Sequence, residues 1–309
     1  ATRPALTVVR PRFRVAGRVS AAASPERIDL SGYDPASKAG FSDKKAARKV
    51  LRDDIERLAH LDDVFAAART HAMLIVLQGM DTAGKDGIIK HVLSGVNPQG
   101  VNVYGFRKPS EEELLHDWLW RESRALPERG RMAIFNRSYY EEVLVARVMP
   151  GVLKKEAAPH DARQWAHRYE DINAFERHLT RSGMVVVKFF LHISRDEQRK
   201  RLCKRLETPT KMWKASDSDL QAHERWDAYA HAYEEMLGHT NTAWAPWHVI
   251  PADRKWVARA VVGNVLIETL EALHLHYPEP SAQRRELFER LASRLEAEGD
   301  GGSPEKANA

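Results

Sequence analysis

The chain has 309 residues, 43% of them hydrophobic and 29% charged, the proportions of a folded globular protein rather than a disordered or fibrous one. Its formal charge of +5 and pI near 9.2 favour polyanionic partners: nucleic acid, an acidic membrane or a phosphate polymer. One cysteine, Cys203, excludes an intramolecular disulfide and a Cys-based zinc cluster, and the longest apolar run, 184–193, is broken by Lys188 and His192 and is far short of a membrane span. A cytoplasmic location with no membrane partner is expected.

The first residues carry Arg3, Arg10, Arg12, Arg14 and Arg18 with no acid before Glu26 and no apolar signal core. Residues 1–29 are therefore expected to form a flexible basic extension. Next come five short runs rich in β-branched and aromatic residues: MLIVLQ (73–78), VNVYGF (101–106), MAIF (132–135), VVVKFFLHI (185–193) and WHVI (247–250). Longer helical patterns fill the gaps. This alternation predicts an α/β fold with a parallel sheet of about five strands flanked by helices, which binds ligands at the carboxyl ends of its strands. No internal repeat or Pro/Gly/Ser-rich linker divides the middle, so a single domain is expected over 30–298. An amphipathic helix near 282–298 places Leu287, Phe288, Leu291 and Leu295 on one face, suited to capping the core or meeting a second subunit. Residues 299–309 read as a disordered tail.

After the first strand stands QGMDTAGKDG (78–87), which fits G-x-x-x-x-G-K at a strand-to-helix turn. In such a P-loop (Walker A motif) the backbone N–H groups of Gly79, Thr82, Ala83, Gly84, Lys85, Asp86 and Gly87 would face a phosphate chain. The helix start adds about half a positive charge, and Lys85 reaches the outer phosphates. The motif's usual closing Ser or Thr is replaced by Asp86, and Asp81 adds a second carboxylate. Carboxylates repel phosphate unless a divalent cation lies between them, and Mg2+ accepts one or two carboxylates plus phosphate oxygens and water. Asp81 is thus the candidate Mg2+ ligand. For Asp86, a metal role and complementation of the helix dipole both remain open.

The third strand runs into FNRSYYEEVLVARV (135–148), placing Asn136, Arg137, Tyr140 and Glu141 at the substrate edge of the sheet. Ser138 with Glu141 three residues on reads as a capping box, which leaves Arg137 unexplained. The run RDEQRKRLCKRLETPTKMWK (195–214) crowds cations around a Pro209 turn, with Arg201 and Arg205 one helical turn apart. The eight tryptophans read as packing residues, with Trp213 a candidate lid-lining side chain. The fourteen histidines show no zinc-ligand spacing.

QGMDTAGKDG, HVLSGVNPQGV, FNRSYYEEVLVARV and RLETPTKMWKASDSDL, in this order, resemble the polyphosphate kinase 2 family over roughly 30–275, and within it the class III type that phosphorylates both AMP and ADP. The resemblance implies a P-loop kinase fold similar to thymidylate kinase, with a helical lid at about 195–225. It implies reversible, Mg2+-dependent transfer (with Mn2+ as an alternative ion) of the terminal phosphoryl group of inorganic polyphosphate to AMP and ADP, giving ADP and ATP. Asp81, Lys85 and Arg137 match the family's catalytic positions. Arg201, Arg205, Lys211 and Lys214 match polyphosphate-binding cations of the lid, and Asn136, Arg137, Tyr140 and Glu141 fall at nucleotide-binding positions. Asn136 stands where many members have Asp, which weakens a second metal site and leaves Asn136 and Asp86 as subsidiary ligand candidates. A homo-oligomer, dimer or tetramer, is implied, and no nucleic-acid partner. The rivals are an ATP-dependent P-loop kinase and a non-enzymatic polyanion-binding protein.

Overall fold

The computed structural model describes residues 28–149, 162–213 and 217–300. All five expected strands form: β1 (Ala72–Gln78), β2 (Val101–Gly105), β3 (Met132–Asn136), β4 (Met184–His192) and β5 (Trp247–Pro251). They make one parallel sheet in the order β2-β3-β1-β4-β5. β1 is buried along its whole length, as expected of a central parallel strand covered on both faces.

From β1 the chain steps over to the edge strand β2, returns to β3, and then crosses β1 to reach β4 and β5. Because parallel crossovers are right-handed, this reversal sends the connecting helices to opposite faces. α1 (Lys44–Ala68), α2 (Lys85–Val92) and α10 (Lys255–Glu271) pack together as one layer, and α5 (Ala162–Arg181) and α9 (Trp226–Thr240) belong to the other. Between β2 and β3 lies the short α3 (Trp120–Arg124), and α4 (Val145–Val148) follows β3. The segment between β4 and α9 is helical: α6 (Arg195–Leu206), α7 (Pro209–Met212, with the proline in its first turn) and α8 (Asp217–Glu224).

The chain forms two compact units, one ending at Leu275 and one beginning at His276. The second contains α11 (Ala282–Asp300), whose Leu287, Phe288, Leu291 and Leu295 are exposed. Among the described residues no helix is long and apolar enough to cross a membrane. The tryptophan expectation holds for Trp247, which is fully buried, and for Trp118, Trp165, Trp226, Trp244 and Trp256, which pack against the core; Trp213 is 73% exposed.

Candidate active site

The reversal of strand order puts β1 and β3 side by side in parallel, with Leu77 opposite Asn136. The loop after β1 and the turn after β3 therefore leave the same sheet edge as neighbours. The P-loop runs from Gly79 into α2, whose N-cap is Gly84 at φ +118°. Gly79 is at φ +152°, and a Cβ there would lie 2.8 Å from the Leu191 carbonyl, so close approach to β4 requires glycine. Two other residues of the site are left-handed without being glycine, Thr82 at φ 65° and Arg137 at φ 66°. A β-branched threonine in that region is an uncommon conformation of the kind that concentrates at functional sites.

Two cross-links join the motifs. Arg137 Nη2 donates to Asp81 Oδ1 at 2.7 Å, and Asn136 Nδ2 donates to Asp86 Oδ1 at 2.9 Å. The backbone N–H of Arg137 also donates to the Leu77 carbonyl. Glu141 first, and then Asp81, hold the Arg137 guanidinium above its ordinary pKa against the cost of burial. Lys85 is buried, and its ammonium donates to the Gly79 carbonyl at 2.6 Å and the Met80 carbonyl at 3.4 Å. Burial, with the Arg137 charge behind it, lowers the Lys85 pKa, while Asp81, Glu141 and Asp86 oppose the shift. Three carboxylates and two cations thus share one small volume, a balance that entering phosphate or metal would alter.

The carboxylate set suits a divalent cation of the Mg2+ kind, which needs only one or two protein oxygens when phosphate supplies the rest. Among the described residues no three His, Cys, Asp or Glu side chains converge as a preformed metal site. Asp81, with one oxygen on Arg137, would be the first ligand, and Asn136 and Asp86 are already bonded to each other.

Several expectations change. Tyr140 does not face the nucleotide edge. It is fully buried, its hydroxyl donates to Glu176 Oε1 at 2.7 Å and accepts from Lys188 Nζ at 2.8 Å, and Tyr139 donates to the same Glu176 oxygen. The hydroxyl of a tyrosine in a strand-to-helix turn can be aimed into the core only by the tertiary fold, because a buried Lys188–Glu176 ion pair needs polar partners. The Ser138 capping box is also incomplete. Ser138 Oγ accepts from the Tyr140 N–H at the start of a 3-10 turn, Tyr139–Val143, rather than an α-helix. In the amide orientation that satisfies both its ends, Gln78 donates to Glu141 Oε1 at 3.0 Å and accepts from Ser138. Glu141 is therefore tied to the strand that carries the P-loop.

Arg201 departs from the expected polyphosphate contact for a countable reason. Its Nε donates to Glu197; Nη1 donates to the carbonyls of Thr82 and Ala83, both at 3.0 Å; Nη2 donates to those of Ala252 and Asp253 at 2.7 and 2.9 Å. A guanidinium has five N–H groups, and these bonds use five. Arg201 thus ties down the carbonyls of Thr82 and Ala83, while the Ala83 N–H, expected to face phosphate, donates within the loop to the Met80 carbonyl at 3.1 Å. Arg205 pairs with Asp219 at 2.9 Å, joining α6 to α8. Lys211 is exposed on α7, and Lys214 lies outside the described residues.

Two further residues join the P-loop to the helices after β4. Gln198, fully buried, donates to the Asp81 carbonyl at 3.3 Å, and His223 of α8 bonds Gln198 Oε1 through Nδ1 at 2.7 Å. Since the amide oxygen only accepts, the proton sits on Nδ1. Neither residue matches a motif, so sequence reading passed over them. Lys188 does leave a signal in the sequence, a lone charge inside an apolar strand.

Comparison with known proteins identifies the family. The family model for polyphosphate kinase 2 (PPK2) matches residues 41–278, most of the chain. The chain belongs to the polyphosphate kinase 2 family. A relative from Rhodopseudomonas palustris named ADP-polyphosphate phosphotransferase is 46% identical over 269 residues, covering 85% of this chain and 93% of that protein. One from Meiothermus ruber, named AMP/ADP-polyphosphate phosphotransferase, is 45% identical over 255 residues, covering 82% and 92%. The crystal structure of polyphosphate kinase 2 from Arthrobacter aurescens superposes with a TM-score of 0.78 at 40% identity, covering 88% of this chain and 95% of that one. The PPK2 P-loop kinase fold expected from the motifs is thus the fold found.

Proposed function

We propose that this PPK2 chain transfers the terminal phosphoryl group of inorganic polyphosphate to AMP and to ADP, giving ADP and ATP, and runs in reverse when ATP is abundant. The observation that carries the reading is the pair of cross-links, Asp81 to Arg137 and Asn136 to Asp86, which set the P-loop against the turn after β3. The names of relatives at 46% and 45% identity supply the donor and the acceptors.

In the reaction an acceptor phosphate oxygen attacks the terminal phosphorus of the polymer. The new P–O bond forms as the old P–O bond breaks, and the electron pair leaves on the oxygen of the shortened polyphosphate. The attacking phosphate has a second pKa of about 6 and is ionised at neutral pH, so no strong base is needed. Catalysis rests on alignment and on charge neutralisation over the transferring group. The loop N–H groups hold the donor's end. Lys85 exchanges its bonds to the Gly79 and Met80 carbonyls for phosphate oxygens. Arg137, kept cationic by Glu141 and Asp81, neutralises charge between donor and acceptor. A divalent cation, Mg2+ or in its place Mn2+, held at Asp81 would supply further neutralisation when bound. Arg205, Lys211 and Lys214 provide lid cations for the polymer. A cytoplasmic homo-oligomer fits this reading, with the exposed apolar face of α11 available for contact.

The test is direct: purified protein with long-chain polyphosphate, Mg2+ and AMP, followed for ADP and ATP, with polyphosphate omitted as the control. Product formation from ATP and AMP, and none from polyphosphate, would instead establish an ATP-dependent kinase on the same fold.

A further inference from the structure

α6 is moored at its start to the loop after β5: Ser194, its N-cap, donates from its N–H and its hydroxyl to the two carboxylate oxygens of Asp253, both at 2.8 Å. The helix then turns Gln198 and Arg201, three residues apart, onto one side. There they meet consecutive carbonyls of the P-loop, Gln198 donating to that of Asp81 at 3.3 Å and Arg201 to those of Thr82 and Ala83. Lys85 donates to the two carbonyls before them, of Gly79 and Met80. Asp81 is thus held twice, its carbonyl by Gln198 of α6 and its carboxylate by Arg137 of the turn after β3.

The Gln198 amide works only one way round. The Asp81 carbonyl can only accept, so Nε2 must face it, and Oε1 then meets the protonated Nδ1 of His223 at 2.7 Å. Gln198 is fully buried, so a turned amide would set its oxygen against the Asp81 carbonyl and leave both without a donor. His223, half-buried on α8, is the group that selects the working orientation. α8 is joined to α6 a second time by the Arg205–Asp219 pair, which holds the imidazole's helix in place. A chain of two hydrogen bonds therefore runs from α8, through α6, to the main chain of Asp81.

We propose that Gln198 and His223 are positioning residues: His223 orients the Gln198 amide, the amide holds the Asp81 main chain, and the Asp81 carboxylate is thereby kept where a divalent cation meets it. The inference rests on the metal role given to Asp81 above, and adds to it the two residues that act through Asp81 and the order in which they act.

The test sorts substitutions by what each replaced atom can donate or accept. Gln198→Met keeps the length of the side chain and removes both bonds. His223→Asn offers an amide N–H in place of Nδ1–H, whereas His223→Asp offers only an acceptor and favours the turned amide. Two quantities are measured on each folded variant: the free Mg2+ concentration giving half-maximal rate with AMP and saturating polyphosphate, and hydrogen exchange of segment 79–88 without metal or substrate. Gln198→Met and His223→Asp should raise the half-maximal Mg2+ concentration about fivefold or more, the effect of one hydrogen bond of ordinary strength. They should also speed exchange in 79–88 while the rest of the chain exchanges as in wild type. His223→Asn should bring both quantities back toward wild type, and 15N spectra of the wild-type protein should show the His223 proton on Nδ1. A proton on Nε2 alone overturns the inference, as does a folded Gln198→Met with either quantity at its wild-type value, or equal behaviour of His223→Asn and His223→Asp. If Gln198→Met does not fold, the two His223 variants decide in the same way. A wild-type protein that transfers no phosphoryl group to a nucleotide overturns the proposed function instead, and the exchange and 15N measurements, which need no turnover, still decide the positioning.

Discussion

Replacing Arg201 separates a residue that binds polyphosphate from one that shapes the P-loop. Arg201→Ala removes the donors to four carbonyls, those of Thr82, Ala83, Ala252 and Asp253. The bonds to Ala83 and Ala252 are buried, so water replaces them least readily. At about 1–3 kcal/mol for each buried group left unsatisfied, these two alone cost about 2–6 kcal/mol, against a total stability of about 5–15 kcal/mol for a typical domain. The melting temperature should fall clearly, and Arg201→Lys, with three donors in place of five, should be intermediate. The deciding assay is the salt dependence of the KM for polyphosphate. A cation that contacts phosphate contributes to the slope of log KM against log salt, by about 0.7 per neutralised phosphate in the analogous case of single-stranded nucleic acid. Arg201→Lys should leave this slope at the wild-type value while lowering kcat with AMP and with ADP alike. A slope smaller by about 0.7 for Arg201→Ala, with kcat at saturating polyphosphate unchanged, would refute the positioning role and restore a direct phosphate contact.

Asp81→Asn, which keeps a hydrogen-bond acceptor for Arg137, should lower kcat by orders of magnitude with little change in melting temperature, and near-normal turnover across a Mg2+ titration would reject Asp81 as a metal ligand. Lys188→Met alone should destabilise by about 3–5 kcal/mol, because it strands the fully buried Glu176 carboxyl. Adding Glu176→Leu should recover part of that loss in chemical denaturation, and additive losses in the double variant would contradict the pairing. Glu122 is fully buried with Oε2 lacking a hydrogen-bond partner among the described residues, and burial pushes its pKa from 4.5 to about 7. The folded chain then binds more protons than the unfolded one between these values, so this contribution to stability is full below about pH 4.5 and is lost as the pH rises toward 7. Glu122→Gln should flatten that part of the melting-temperature profile, and an unchanged profile would show that Glu122 is not its source.

The five strands, the P-loop and the second motif were legible in the sequence because each is a local pattern: β-branched runs between turn residues, glycines at fixed spacing, a lysine at a helix start. Strand order was not, and it decides the chemistry. Asp81 and Arg137 are 56 positions apart and meet at 2.7 Å because β3, not β2, pairs with β1. The same pairing brings the Asp86 carboxylate to Asn136 across the site. Positive charge alone does not separate roles that depend on partners. Arg201, Arg205 and Lys211 look alike in the chain, yet the first spends every N–H on protein groups, the second bridges two helices and the third is exposed. Tyr140 went astray for the same reason, since burial against Glu176 and Lys188 depends on α5 and β4 closing over it. Residue types and their spacing determined which groups this protein has for handling phosphate. Only the packing of distant segments decided which of them face the ligand, because a buried polar group must be satisfied by whatever the fold brings next to it.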